Sequence, residues 1–80
     1  MVRLAKTIDR QWSEVLGAAE DFFGPGGLGL ELTGRRENCV SFAGGGGHVA
    51  VETCPSGGRT EVIVEAREWE QDARRFLAGL

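Results

Sequence analysis

Apolar residues recur along this chain at two periods, and the change from one to the other marks its elements. From Asp9 to Phe23, residues Trp12, Val15, Leu16, Ala19, Phe22 and Phe23 return at spacings of three and four, which predicts an amphipathic helix. The run Gly24-Pro25-Gly26-Gly27 stops it, and Thr7 or Asp9 is positioned to cap its start. The segments 28–33, 37–43, 48–54 and 60–67 alternate instead, which predicts β-strands. Residues 2–7 alternate as well and can add an edge strand. The end of the chain returns to helical spacing through Trp69, Ala73, Phe76, Leu77 and Leu80.

The connections between strands are short and glycine-rich, as in hairpins, so the simplest topology is an antiparallel meander. Register then follows from the turns, because a slip of one residue exchanges the two faces of a strand. A tight turn at Gly45-Gly46 pairs Val40 with Val51 and Phe42 with Val49. One at Gly57-Gly58 pairs Val51 with Val64 and Thr53 with Val62. A loop over Gly34 to Arg36 pairs Leu30 with Val40. These choices gather Leu28, Leu30, Leu32, Val40, Phe42, Val49, Val51, Val62, Val64 and Ala66 on one apolar face. The expected architecture is a single α+β domain over residues 1–80. It has a meander sheet of four strands, or five if residues 2–7 join, with an N-terminal and a C-terminal helix on one face.

The same register puts Glu31, Cys39, Ser41, Ala43, His48, Ala50, Glu52, Cys54, Glu61, Ile63 and Glu65 on the opposite face. One reading is a solvated face. The other is an interface in which Cys39, Ser41, Ala43, His48, Ala50 and Ile63 receive a partner, because small side chains let a second surface approach closely. A chain of 80 residues has a thin core, which makes a homodimer the natural partner.

Composition narrows the function class. Hydrophobic residues at 41% and charged residues at 26% suit a folded, globular chain. The net charge of −3, with no basic stripe, argues against nucleic-acid binding, which depends on cations meeting phosphates. No segment has the apolar length of a signal peptide or a membrane span, so the expected location is cytoplasmic and without a membrane. In that compartment Cys39 and Cys54 are expected as thiols.

The most conspicuous stretch is Gly44 to Gly47, directly before the only histidine, His48. A phosphate loop requires a helix after the glycines, but a strand-forming sequence follows here, with neither P-loop nor GxGxxG spacing. The run reads as a hairpin tip in which two glycines supply the positive φ and the surplus leaves the tip mobile. A thiol or metal site at Cys39, His48 and Cys54 is an alternative, since all three fall on one face, although no CxxC or HxxxH spacing accompanies them. No nucleophile and base pair stands out, so no catalytic residue and no cofactor is assigned. Arg35-Arg36 fall on the expected loop tip, where paired arginines can hold an anion or simply meet solvent.

The order strand, helix, antiparallel strands, C-terminal helix, with the opening Leu4 to Phe23, resembles the START-like helix-grip proteins, which include polyketide cyclase-like and lipid-binding domains. The resemblance is carried by Ile8-Asp9 before the first helix and Glu14-Val15 within it. It implies a small apolar ligand held between the last helix and the sheet, against Phe42, Val49, Val51, Val64, Trp69, Ala73 and Phe76. The residues themselves point first to a non-enzymatic domain acting by self-association, or by binding a partner protein or a small apolar ligand. A reduced helix-grip or cyclase-like module is the second reading.

Overall fold

A computed structural model describes residues 1–80. The elements follow the chain as β1 (Val2–Ile8), α1 (Trp12–Phe23), β2 (Glu31–Arg36), β3 (Cys39–Gly44), β4 (Gly47–Ser56), β5 (Arg59–Arg67) and α2 (Glu70–Ala78). The strands form one antiparallel sheet in the order β1-β5-β4-β3-β2. Strands β2 to β5 are the expected meander, and residues 2–7 do form a strand, which lies along β5.

Both tight turns fall where glycine spacing placed them. Gly45 and Gly46 have φ of 57° and 81°, and Gly57 and Gly58 have 57° and 84°. Positive φ at both central positions defines a type I′ turn, whose twist matches that of the strands it joins. The expected pairs follow: Val40 opposite Val51, Phe42 opposite Val49, Val51 opposite Val64 and Thr53 opposite Val62.

The hairpin between β2 and β3 differs from the expectation. Gly34 to Arg36 belong to β2, and the turn is Glu37-Asn38. Arg35 therefore faces Val40 and Leu32 faces Phe42, with a bulge between Leu32 and Gly34. The choice has a physical basis. The Asn38 carbonyl accepts hydrogen bonds from the Thr53 amide at 2.9 Å and the Thr53 hydroxyl at 3.1 Å, while Asn38 Nδ2 donates to the Thr53 carbonyl at 3.2 Å. These bonds bind the Glu37-Asn38 turn to β4. Arg35 reaches α1 and donates to Glu20. Leu30, just before β2, is buried at 2% exposure, whereas Leu28 at 36% and Leu32 at 39% lie outside the core they were expected to join.

Both helices cover the same face. The remaining residues of the expected apolar face are buried there, joined by Val15, Leu16, Ala19 and Phe23 of α1 and Ala73, Phe76 and Leu77 of α2. Phe23 is the junction of the sheet and the two helices, with ring centroids 5.7 Å from Phe42 and 5.3 Å from Phe76. Helix α1 begins at Trp12 behind Gln11, without a side-chain cap, so neither Thr7 nor Asp9 has that role. Thr7 lies in β1, and Asp9 accepts a hydrogen bond from Arg59 at 2.8 Å.

The glycine run is tightly placed. Trp69 Nε1 donates to the Gly44 carbonyl at 2.9 Å, and a Cβ on Gly45 would sit 3.0 Å from the Trp69 ring. A Cβ on Gly47 would overlap the Arg67 carbonyl oxygen. Beyond the two turn positions, Gly47 is thus a site of close approach and not a surplus, whereas a Cβ on Gly44 would make ordinary contact with Leu30. Opposite them, Glu68 has φ of 72°, an uncommon value for a residue with a side chain, at the point where β5 gives way to α2.

Candidate interaction surface

Because α1 and α2 share one face, the other side of the sheet has no covering element. Its make-up can be read across the strands from β1 to β2. One row is Ala5, Ile63, Glu52, Cys39 and Arg36; the next is Arg3, Glu65, Ala50, Ser41 and Gly34. Arg67, His48, Ala43 and Glu31 form a third row, and Thr7, Glu61 and Cys54 a fourth. Cys39, Ser41, Ala43, His48, Ala50 and Ile63 are all on this face and half-buried. They form a shallow floor between longer charged side chains.

The floor follows from residue size. Ser41, Ala43 and Ala50 have short side chains on β3 and β4, so the neighbouring Glu52, Glu65 and Arg67 stand above them and remain exposed. Across the face the charges are mixed: Arg3, Arg36 and Arg67 against Glu31, Glu52, Glu61 and Glu65. Arg36, Arg3 and Ala5 were missing from the sequence reading of this surface. In the sequence Arg36 reads as a loop residue, and nothing local shows which strand β1 joins. The Glu37-Asn38 pair was the one signal that could have placed Arg36, since Asn favours turns.

Cys39 and Cys54 are free thiols. Burial pushes the Cys39 thiol up from its ordinary value, the Glu52 carboxylate adds to this, Arg36 opposes it, and Glu65 raises it further. A thiol held protonated is a poor nucleophile. His48 pairs with Ala43, four positions along β3 from Cys39 and therefore about 13 Å away by strand rise. Cys39, His48 and Cys54 do not form a group able to hold a metal ion.

The residues implied by the helix-grip resemblance occupy the interior. Phe42, Val49, Val51, Val64, Ala73 and Phe76 are buried in the core, with Trp69 packed against it. The main surface hollows lie elsewhere. Three of them, of about 420, 370 and 380 Å³, surround Trp12 at the end of the sheet where the Glu37-Asn38 and Gly57-Gly58 turns meet the start of α1. Of the arginines there, Arg10 pairs with Glu14, Arg35 with Glu20 and Arg59 with Asp9, while Arg36 makes no ion pair. No helix is long and apolar enough to cross a membrane. In comparisons with known proteins, the chain matches no family model, no curated protein and no solved structure.

Proposed function

We propose that the protein is a non-enzymatic interaction domain whose uncovered sheet face receives a second copy of the chain. The observation that carries this reading is the placement of both helices on one side of the sheet, which leaves the floor of Ser41, Ala43, Ala50, Cys39 and Ile63 open. Two further features support it. The face carries both signs of charge, so a two-fold arrangement can set Arg3, Arg36 and Arg67 of one copy against Glu52, Glu61 and Glu65 of the other. The small core also gains from any apolar area that association removes from water.

The mechanism is burial of surface. Ala50 lies on the central strand within the floor and is half-buried, so an arginine there obstructs a facing surface without entering the core. Sedimentation at micromolar concentration is expected to show a dimer for the parent chain and a monomer for Ala50→Arg, with unchanged circular dichroism. A parent chain that sediments as a strict monomer overturns the reading, as does an Ala50→Arg dimer as tight as the parent.

A further inference from the structure

The two edges of the sheet are built differently. Edge strand β2 has six residues, is interrupted by the bulge at Leu32/Gly34, and has Arg35 tied to Glu20. Edge strand β1 pairs with β5 without interruption over all seven of its residues and contains neither proline nor bulge. Folded proteins ordinarily blunt or cover such an edge, because its free amides and carbonyls template another strand. Here β1 is unbroken, has no strand on its outer side, and is marked only by the charges of Arg3 and Lys6.

The surroundings of this edge select the kind of strand that fits. Between β1 and α2 lies a shallow hollow of about 310 Å³, lined by Leu4, Ala5, Lys6, Arg74, Leu77 and Ala78. Its lining is apolar apart from cations, although the chain carries a net charge of −3. Most other cations near the helices are neutralised, as in the Arg10–Glu14, Arg35–Glu20, Arg59–Asp9 and Arg75–Asp72 pairs. Arg74 makes no ion pair. Lys6 Nζ donates to the Leu77 carbonyl at 2.9 Å, and this holds its charge at the rim of the hollow with further donors free.

A second copy of β1 fits this edge poorly. Two-fold pairing about Ala5 would set Lys6 opposite Leu4 of the other copy, with the two lysines on the diagonal of the helix side and both Arg74 residues beside the same hollows, gathering like charge near the centre of the contact. We propose instead that β1 accepts an extended acidic segment of a partner protein by strand addition. Backbone hydrogen bonds to the open edge supply affinity. Alternate side chains supply selectivity, with an apolar residue over Leu4, Leu77 and Ala78 and a carboxylate two residues along at Lys6 and Arg74. This surface adjoins the outer sheet face along β1, and the Ala50→Arg variant, which obstructs that face alone, tests the two assignments separately.

The probe is a fluorescein-labelled peptide about eight residues long, with threonine at every other position and valine and glutamate alternating between. It is expected to bind the full chain with a Kd of about 10–500 µM, more weakly at high salt, while the version with lysine for glutamate shows no binding to about 1 mM. Arg74→Glu, an exposed substitution, should weaken binding roughly tenfold or more and leave sedimentation unchanged. Ala50→Arg should leave peptide binding unchanged. Amide chemical-shift changes should concentrate in Val2–Ile8.

Equal binding of the acidic and basic peptides overturns the proposal. So do shift changes confined to β2 or to the outer face, an absence of binding to about 1 mM, or β1 amides that shift with protein concentration in the Ala50→Arg variant when no peptide is present.

Discussion

At the scale of single residues, the glycine run shows two physical reasons for the same residue type. Gly46 has φ of 81° and no atom near a would-be Cβ, so Gly46→Ala should cost about 1 kcal/mol from backbone strain alone. At Gly47 the obstacle is the Arg67 carbonyl, backbone that cannot swing aside. Gly47→Ala should therefore cost about 2–3 kcal/mol, at the upper end for overpacked sites. Urea denaturation of the two variants separates the cases, and equal midpoints would refute the close-approach account. The raised Cys39 thiol is a second residue-scale test. Its folded form favours the protonated state, so its contribution is complete below the ordinary thiol range and is lost as pH rises through the higher folded value. Between about pH 8 and pH 10, the parent chain should lose more stability than Cys39→Ala, as read from urea midpoints. Parallel pH profiles would contradict the assignment.

At the scale of elements, β2 is the informative case. Leu30, just before the strand, is inside the core and Leu32, opposite Phe42, is at its margin, although both are leucines of one alternating segment. Leu30→Ala should cost about 2–4 kcal/mol, and Leu32→Ala less than about 1 kcal/mol. Comparable losses would restore the register with a loop at Gly34 to Arg36. The fold class, the two hairpins around β4 and both helices were legible in the sequence because their signals are local: glycine pairs at turns and apolar periods of two and near four. The β2 register was not. Gly34-Arg35-Arg36 looks more turn-like than Glu37-Asn38, and the deciding interactions, Asn38 with Thr53 and Arg35 with Glu20, join residues fifteen apart in the chain.

At the scale of the whole molecule, one sheet face and two short helices enclose a thin core. Phe23 touches aromatic residues of the sheet and of both helices. Truncating such a residue typically costs about 3–5 kcal/mol, close to the entire stability expected of a domain this small. Phe23→Ala should be largely unfolded at room temperature by circular dichroism, and retained cooperative melting would show that the core carries more stability than this. The shape also explains why the candidate surfaces lie outside the core. With Phe42, Val51, Val64 and Phe76 consumed by packing, what remains is the uncovered sheet face and its unbroken edge.

The sequence by itself determined the α+β class, the order of elements, the Gly45-Gly46 and Gly57-Gly58 turns, and the two faces of β3, β4 and β5. A tight turn fixes register within a few residues, and alternation then assigns every side chain to a side. Only the tertiary structure decided that β1 lies along β5, that β2 turns at Glu37-Asn38, and that Gly47 must make room for Arg67. Each of these depends on groups distant in the chain coming within bonding or collision distance. No local pattern can weigh such an encounter before the layers are assembled.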